Sequence, residues 1–329
     1  RIFTATIIKA SHMLLVTRVL STFGFTLILA FPVTGVADSQ DIDSDRKEPG
    51  SGKTVEEIAR EMVNPLAAFW RFDYIGEHRN YQGSIPGADD QKGWIHNFQF
   101  TMPFREKDGK GWVFRWALPY LPDQPVYWAD RGYPEWLIRQ VDPTLQEGGF
   151  WAPTHAHTDA VTFDLTYGGV NESGRILNYG VAGILPTTSD TSNGRQQFIM
   201  GPAVNIGKMA DWGTYGVLAS HIIDLIEKRG KGAPDTTQTT LQFYFSYDLG
   251  RGWQAISNPV VTYDWEADSS NKLNLPLGGG IAKTFKIGRV PLRLTAEVQY
   301  FVASTDRFGP DWLYKFSVSP ILPSKHTRY

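Results

Sequence analysis

The chain has 329 residues, with Lys+Arg 32 against Asp+Glu 34 and a formal net charge of -2, so no basic excess marks it for nucleic acid or another polyanion. It contains no cysteine, which excludes disulfide frameworks, thiolate metal sites and cysteine nucleophiles. Aromatic residues make up 13% at a mean hydropathy of -0.27, a combination too polar for a bundle of membrane helices and unusually rich in rings.

Residues 1–12 precede Met13 and read as an extension outside the fold. From Met13, Arg18 supplies a positive region, Leu20 to Val33 an apolar stretch, and Thr34-Gly35-Val36-Ala37 a small-residue cleavage site. Residues 13–37 therefore read as a signal peptide; the alternative, a membrane anchor, needs a longer apolar run of ~20 residues. Residues 38–63 are expected to be a periplasmic linker, polar from Asp38 to Lys53, followed by a short helix. Thr54 and Glu57 have the spacing of a capping box, Ile58, Met62 and Val63 share a face, and Pro65 sets the limit.

Beyond Asn64 the hydrophobic period changes to two. Trp94, Phe98 and Phe100 alternate with Asn97, Gln99 and Thr101, and Trp112, Phe114, Trp116 and Leu118 bracket Arg115. Val161, Phe163, Leu165 and Tyr167 oppose Asp164, and Leu241, Phe243, Phe245 and Tyr247 oppose Gln242 and Asp248. Leu292, Leu294, Val298 and Tyr300 oppose Arg293 and Glu297, and Trp312, Tyr314, Phe316 and Val318 oppose Lys315. An extended backbone sends these two sets to opposite faces.

A soluble sandwich alternates in the same way. Two further features favour lipid. Rings concentrate on the apolar face toward strand ends (Trp94, Trp112, Trp253, Trp265, Tyr300, Trp312), where membrane interfaces hold them. Connections also alternate between long (Glu77 to Gln91, Leu121 to Thr158, Thr187 to Gly194, Asp224 to Thr237) and short (Glu106 to Lys110, Lys208 to Asp211, Leu249 to Gly252, Lys286 to Val290). The expectation is an all-β fold over residues 64–329: a closed antiparallel transmembrane β-barrel of about twelve strands, with ten as the nearest alternative. An even count returns both termini to the periplasm, and the short helix would plug or cap the barrel. Pro202, Pro259 and Pro276 fall inside strand-like segments and are expected at bulges or the rim, because a closed wall has no free edge.

Phe100-Thr-Met-Pro103-Phe, Arg115-Trp-Ala-Leu-Pro119, Leu185-Pro-Thr-Thr-Ser-Asp190, Gly201-Pro202 and Asn274-Leu-Pro-Leu-Gly-Gly-Gly280 resemble the bacterial outer-membrane family named for the phenol meta-cleavage degradation pathway. The similarity runs from about Asn64 to Pro323 and includes Asp311-Trp312 ahead of the last strand; Tyr127 to His157 looks like an insertion. The resemblance implies an outer-membrane transporter barrel for aromatic or other hydrophobic compounds, with no catalytic residue.

Chemistry-bearing groups are few. His155, His157 and Asp159 offer a weak metal constellation, more simply read as a polar rim without a metal. Ser220 and His221 are neighbours, so in a strand they point to opposite faces and cannot form a dyad. No catalytic residue and no cofactor is expected; an outer-membrane hydrolase is the minor alternative. The polar face supplies the lumen candidates Arg71, Asp73, Arg115, Asp164, Arg293, Glu297 and Lys315, and the long loop supplies Tyr127, Trp128, Phe150 and Trp151 as a vestibule. The reading is a channel for small solutes in the outer membrane of a Gram-negative bacterium, with lipid and the barrel-assembly machinery as partners; a surface-binding barrel with a plugged lumen is the alternative.

Overall fold

The computed structural model describes residues 53–67, 69–105, 110–128, 150–189, 197–226, 235–288 and 290–322. The expected extension, signal peptide and linker up to residue 52 lie outside the described residues.

The period-two segments form the strands β1 (Arg71–Gln82), β2 (Lys92–Arg105), β3 (Gly111–Leu121), β4 (Thr162–Val170), β5 (Arg175–Ile184) and β6 (Phe198–Ala210). They continue as β7 (Gly213–Ile226), β8 (Thr237–Gly250), β9 in two pieces (Trp253–Ser257 and Val260–Asp264), β10 (Leu273–Ile287), β11 (Val290–Ala303) and β12 (Gly309–Pro320). Each pairs antiparallel with its neighbours in sequence, and β1 pairs with β12 from Tyr74↔Val318 to Gln82↔Gly309. The wall is thus a closed antiparallel barrel of twelve strands, not ten. His157–Thr158 pairs with β3 just ahead of β4 and extends that strand.

The side-chain distribution is the inverse of a soluble protein's. On β10, Leu277 and Ile281 are 54% and 51% exposed, whereas Ala282 and Thr284, facing the other way, are each 1% exposed. Outward positions elsewhere carry Trp94, Trp112, Ile206, Phe243, Trp253, Val298, Tyr300 and Trp312, all exposed. Inward positions carry buried Asn178, Asn205, Thr214, Gln254 and Gln299. So much contiguous exposed apolar surface is stable only against lipid, and most wall strands exceed the roughly 9–11 residues a tilted strand needs to cross a bilayer. Among the described residues no helix is long and apolar enough to cross a membrane.

One end of the barrel is closed by tight turns, such as Asp211-Trp212 between β6 and β7. The β8–β9 turn places Gly250, Arg251 and Gly252 at φ of 84°, 51° and 73°, which glycine tolerates and which makes Arg251 the positive-φ non-glycine among the described residues. The opposite end carries the long connections, including a small hairpin in which Pro125–Trp128 pairs with Phe150–Pro153. Both the start of β1 and the end of β12 lie at the tight-turn end.

The three prolines resolve differently. Pro259 lies in the break between the two pieces of β9, and Pro276 lies at a register shift against β11. Pro202 is at neither a bulge nor the rim. It pairs in register with Val181, and the missing N–H falls where the β6–β7 pairing lapses between Ala203↔Ser220 and Met200↔Ile223.

The helix α1 (Val55–Val63) carries the capping box: Thr54 Oγ1 accepts from the Glu57 amide at 3.1 Å, and Glu57 Oε2 accepts from the Thr54 amide at 2.7 Å. α1 sits inside the barrel toward the tight-turn end, packed on β7, β8, β10 and β11.

Candidate functional site

Strand alternation aims the seven charged candidates into the barrel, where six of them form three pairs. Arg71 Nε donates to Asp73 Oδ2 at 2.9 Å, and Gln99 Nε2 donates to the same oxygen at 2.9 Å. Glu297 accepts from the Asn258 amide at 2.8 Å and from Asn258 Nδ2 at 3.0 Å; it also accepts from Gln299 and faces Lys315 Nζ at 3.6 Å. Arg115 forms the third group, with Nε and Nη2 at 2.7 and 2.6 Å from Asp164 Oδ2.

Arg115 makes one further bond. Its Nη1 donates to Gln242 Oε1 at 3.3 Å. β3 and β8 are five strands apart one way around the wall and seven the other, so this bond crosses the lumen. Asp164, Arg115 and Gln242 together make a polar bar from wall to wall.

Arg293 does something the sequence did not suggest: it holds the helix. Its Nη1 donates to the Ala59 carbonyl at 3.1 Å and to Gln254, and is 3.4 Å from Thr284 Oγ1. Arg71 Nη1 likewise donates to the Met62 carbonyl at 3.1 Å. Thr214 Oγ1 donates to the Arg60 carbonyl at 2.9 Å, and the Arg60 side chain is ion-paired with Asp248. The interior therefore satisfies the Arg60 and Met62 carbonyls at the end of α1, which a free helix leaves to water, while Arg293 reaches the carbonyl one position earlier.

Apolar contacts complete the seat. Ile58 and Met62 pack with Ala67, Phe69 and Ile321; Val63 packs with Ile176 and Tyr244; Leu66 packs with Val113 and Leu218. Asn64, 2% exposed, turns the chain out of the helix. Its Oδ1 accepts from the Leu66 amide at 3.0 Å and from Asn205 Nδ2 at 2.9 Å, while the Tyr244 hydroxyl donates to Asn205 Oδ1 at 2.9 Å.

At the long-loop end, the Tyr127 and Trp151 rings meet at a tilt across the hairpin with centroids 5.3 Å apart, and the backbones of Trp128 and Phe150 pair beside them. Trp151 Nε1 donates to the Pro86 carbonyl at 2.7 Å, and its ring lies 4.7 Å from Phe308, which in turn stacks on Tyr81 at 4.5 Å. The vestibule aromatics thus dock on the β1–β2 and β11–β12 connections. The remainder of that loop, residues 129–149, is outside the described residues.

His155, His157 and Asp159 do not converge: His157 Nδ1 bonds the His155 carbonyl at 2.8 Å, and Asp159 Oδ1 accepts from the Ala160 amide at 2.7 Å. No group of three His, Cys, Asp or Glu side chains is arranged for a metal among the described residues. His221 Nδ1 meets Thr239 Oγ1 at 2.9 Å, on the face opposite Ser220.

Gln254, Asn205, Tyr244 and Leu66 are interior partners that the sequence reading did not name, and Gln242, placed on the polar face of its strand, was not among the lumen candidates. The parity that aimed Gln242 inward could also have found Gln254 and Asn205, since Gln254 alternates with Trp253 and Asn205 with Val204 and Ile206. Tyr244 breaks the polar-inside pattern, and Leu66 lies before the first strand, so neither carries a periodic signal.

No protein-family model and no curated protein sequence matches the chain. Among solved structures it is similar to an outer membrane channel from Pseudomonas putida F1, with a TM-score of 0.54 at 11% sequence identity over 79% of this chain and 98% of that one. The fold is that of an outer-membrane β-barrel. Looser similarities are to the NanC porin, TM-score 0.43 at 10% identity over 77% and 100% of the two chains, and to the CymD monoaromatic hydrocarbon channel, TM-score 0.38 at 9% identity over 81% and 93%.

Proposed function

We propose that this chain is a channel in the outer membrane of a Gram-negative bacterium, admitting small solutes through a lumen narrowed by α1, with its termini in the periplasm. What carries the reading is the Asp164–Arg115–Gln242 bar. A barrel that served only as a scaffold could fill its middle with apolar side chains, whereas this one places a charged group across the lumen with both ends tied to the wall. The bar, the Glu297–Lys315 pair and the Arg71–Asp73 pair mix both charge signs, so strong selection for either sign of ion is not expected.

The ring cluster of Tyr81, Tyr127, Trp151 and Phe308 at the mouth favours solutes with an aromatic or otherwise apolar part. It agrees with what the family resemblance implies. In this reading the partners are outer-membrane lipid, the assembly machinery during biogenesis and the solute; no cofactor or enzymatic step is involved.

The test is single-channel recording of the purified protein in planar bilayers, with and without small aromatic solutes. Discrete conductance steps that aromatics block are expected. A heat-modifiable, folded barrel that passes no current in any condition would refute the channel. One set of observations favours a second reading, the plugged barrel: α1 is held by Asp248, Arg71, Arg293 and Thr214 at once. In that case loss of the 125–153 hairpin would abolish solute binding in a protein that never conducts.

A further inference from the structure

Below the polar bar lies a second crossing of the lumen, and it is apolar. Leu66, Val113 and Leu218 form one buried cluster, 2%, 4% and 4% exposed. Val113 is on β3 and Leu218 on β7, four strands apart around the wall, so Leu66 bridges wall strands that do not touch each other. The two crossings are adjacent. Val113 is two residues from Arg115 on the same face of β3, and Leu218 pairs directly with Gln242.

On the tight-turn side of Leu66 the plug leaves a space. α1 packs on β7, β8, β10 and β11, and against β2 to β6 there remains a cavity of about 300 Å³. Leu66, Val113, Asn178, Met209, Lys53 and Lys110 are among the residues that line it.

We propose that Leu66 is a hydrophobic gate and that this cavity is the exit vestibule on the periplasmic side; the proposal rests on the channel reading above. An apolar ring in a polar lumen excludes water when narrow, and a solute must shed hydration to pass it. Leu66 belongs to the segment behind α1 and not to the wall, so the gate moves with the plug. Asn64 sets its position, because its Oδ1 fixes the Leu66 amide and ties it to Asn205 on β6. A slight shift of this segment opens the contact without dismantling the barrel.

The experiment compares the unitary conductance of the wild-type chain with Leu66→Ser and Leu66→Trp, with Leu218→Ser as the wall-side partner in case position 66 does not tolerate serine. Heat modifiability of each variant establishes that it has folded. The expected result is a several-fold rise for both serine variants and loss of current for Leu66→Trp. Because the chain has no cysteine, Met209→Cys is a unique target in the vestibule, and a charged methanethiosulfonate reagent is expected to reduce the current. If the wild type conducts and the position 66 and 218 variants match it, the gate is refuted while the channel stands. If the current is unaffected by modification at position 209, the exit lies elsewhere and that half of the proposal falls. If neither the wild type nor any serine variant conducts although all fold, the channel reading itself fails.

Discussion

Arg71 and Asp73 are each buried to 6% side-chain exposure and bonded to one another, in an interior where an uncompensated charge is costly. Removing one partner of such a buried pair costs about 3–5 kcal/mol. Arg71→Met, which also releases the Met62 carbonyl, is therefore expected to lower the free energy of unfolding, obtained from urea titration in detergent and read by tryptophan fluorescence, by an amount in that range. A loss below roughly 1 kcal/mol, the worth of an exposed ion pair, would mean that water reaches Asp73. Gly216 makes a steric argument of a different kind. A Cβ there would overlap the Tyr244 hydroxyl and the Ile206 carbonyl, so Gly216→Ala forces Tyr244 off Asn205. Overpacking of this type costs about 1–3 kcal/mol, and the same urea measurement decides it. Conductance should change too, since Asn205 is what holds Asn64.

α1 is nine residues long, too short to be stable alone in water. Its capping box and apolar face supply the local preference, and burial of side chains such as Ile58 and Met62 adds about 1.5–3 kcal/mol each. Its position, however, is set by polar groups on four different wall strands. Asp248 accepts from Arg60 and, at 2.7 Å, from Gln254. Asp248→Asn keeps the Gln254 bond and removes the charge that Arg60 needs. Trypsin applied to the tight-turn face of reconstituted protein is then expected to cut after Arg60 faster than in the wild type, with the barrel intact. Unchanged cleavage would show that the apolar contacts hold α1 without the ion pair.

For the whole molecule, the decisive feature is that exposed and buried faces are exchanged relative to a soluble sheet. Trp94, Trp112, Trp253 and Trp312 lie on the exposed face, within reach of acyl chains or headgroups if the barrel spans a bilayer. Reconstitution into vesicles of brominated phosphatidylcholine is expected to quench most of the tryptophan emission relative to unbrominated lipid, and a protein merely adsorbed to the vesicles would show almost none. Closure by β1 and β12 removes the edge strands on which an open sheet would aggregate. Heat modifiability on electrophoresis should follow, because no strand can leave the wall without breaking two ladders.

The alternation of residues such as Leu292, Arg293, Leu294 and of Tyr314, Lys315, Phe316 determined the strands, their two faces and the inverted character of the barrel, because side-chain direction in a strand is fixed by parity alone. Loop lengths determined which end carries the tight turns, and the Thr54–Glu57 spacing determined the start of α1. Parity also aimed Arg115 and Asp164 inward. It could not say that Arg115 reaches Gln242, nor that Arg293 serves the helix, because those partners are 127 and 234 positions away in sequence and meet only once the sheet closes. Leu66 and Asn64 carry no periodic signal at all. Their place in the middle of the lumen was decided by tertiary structure alone, by where the barrel offered a polar seat for the end of one short helix.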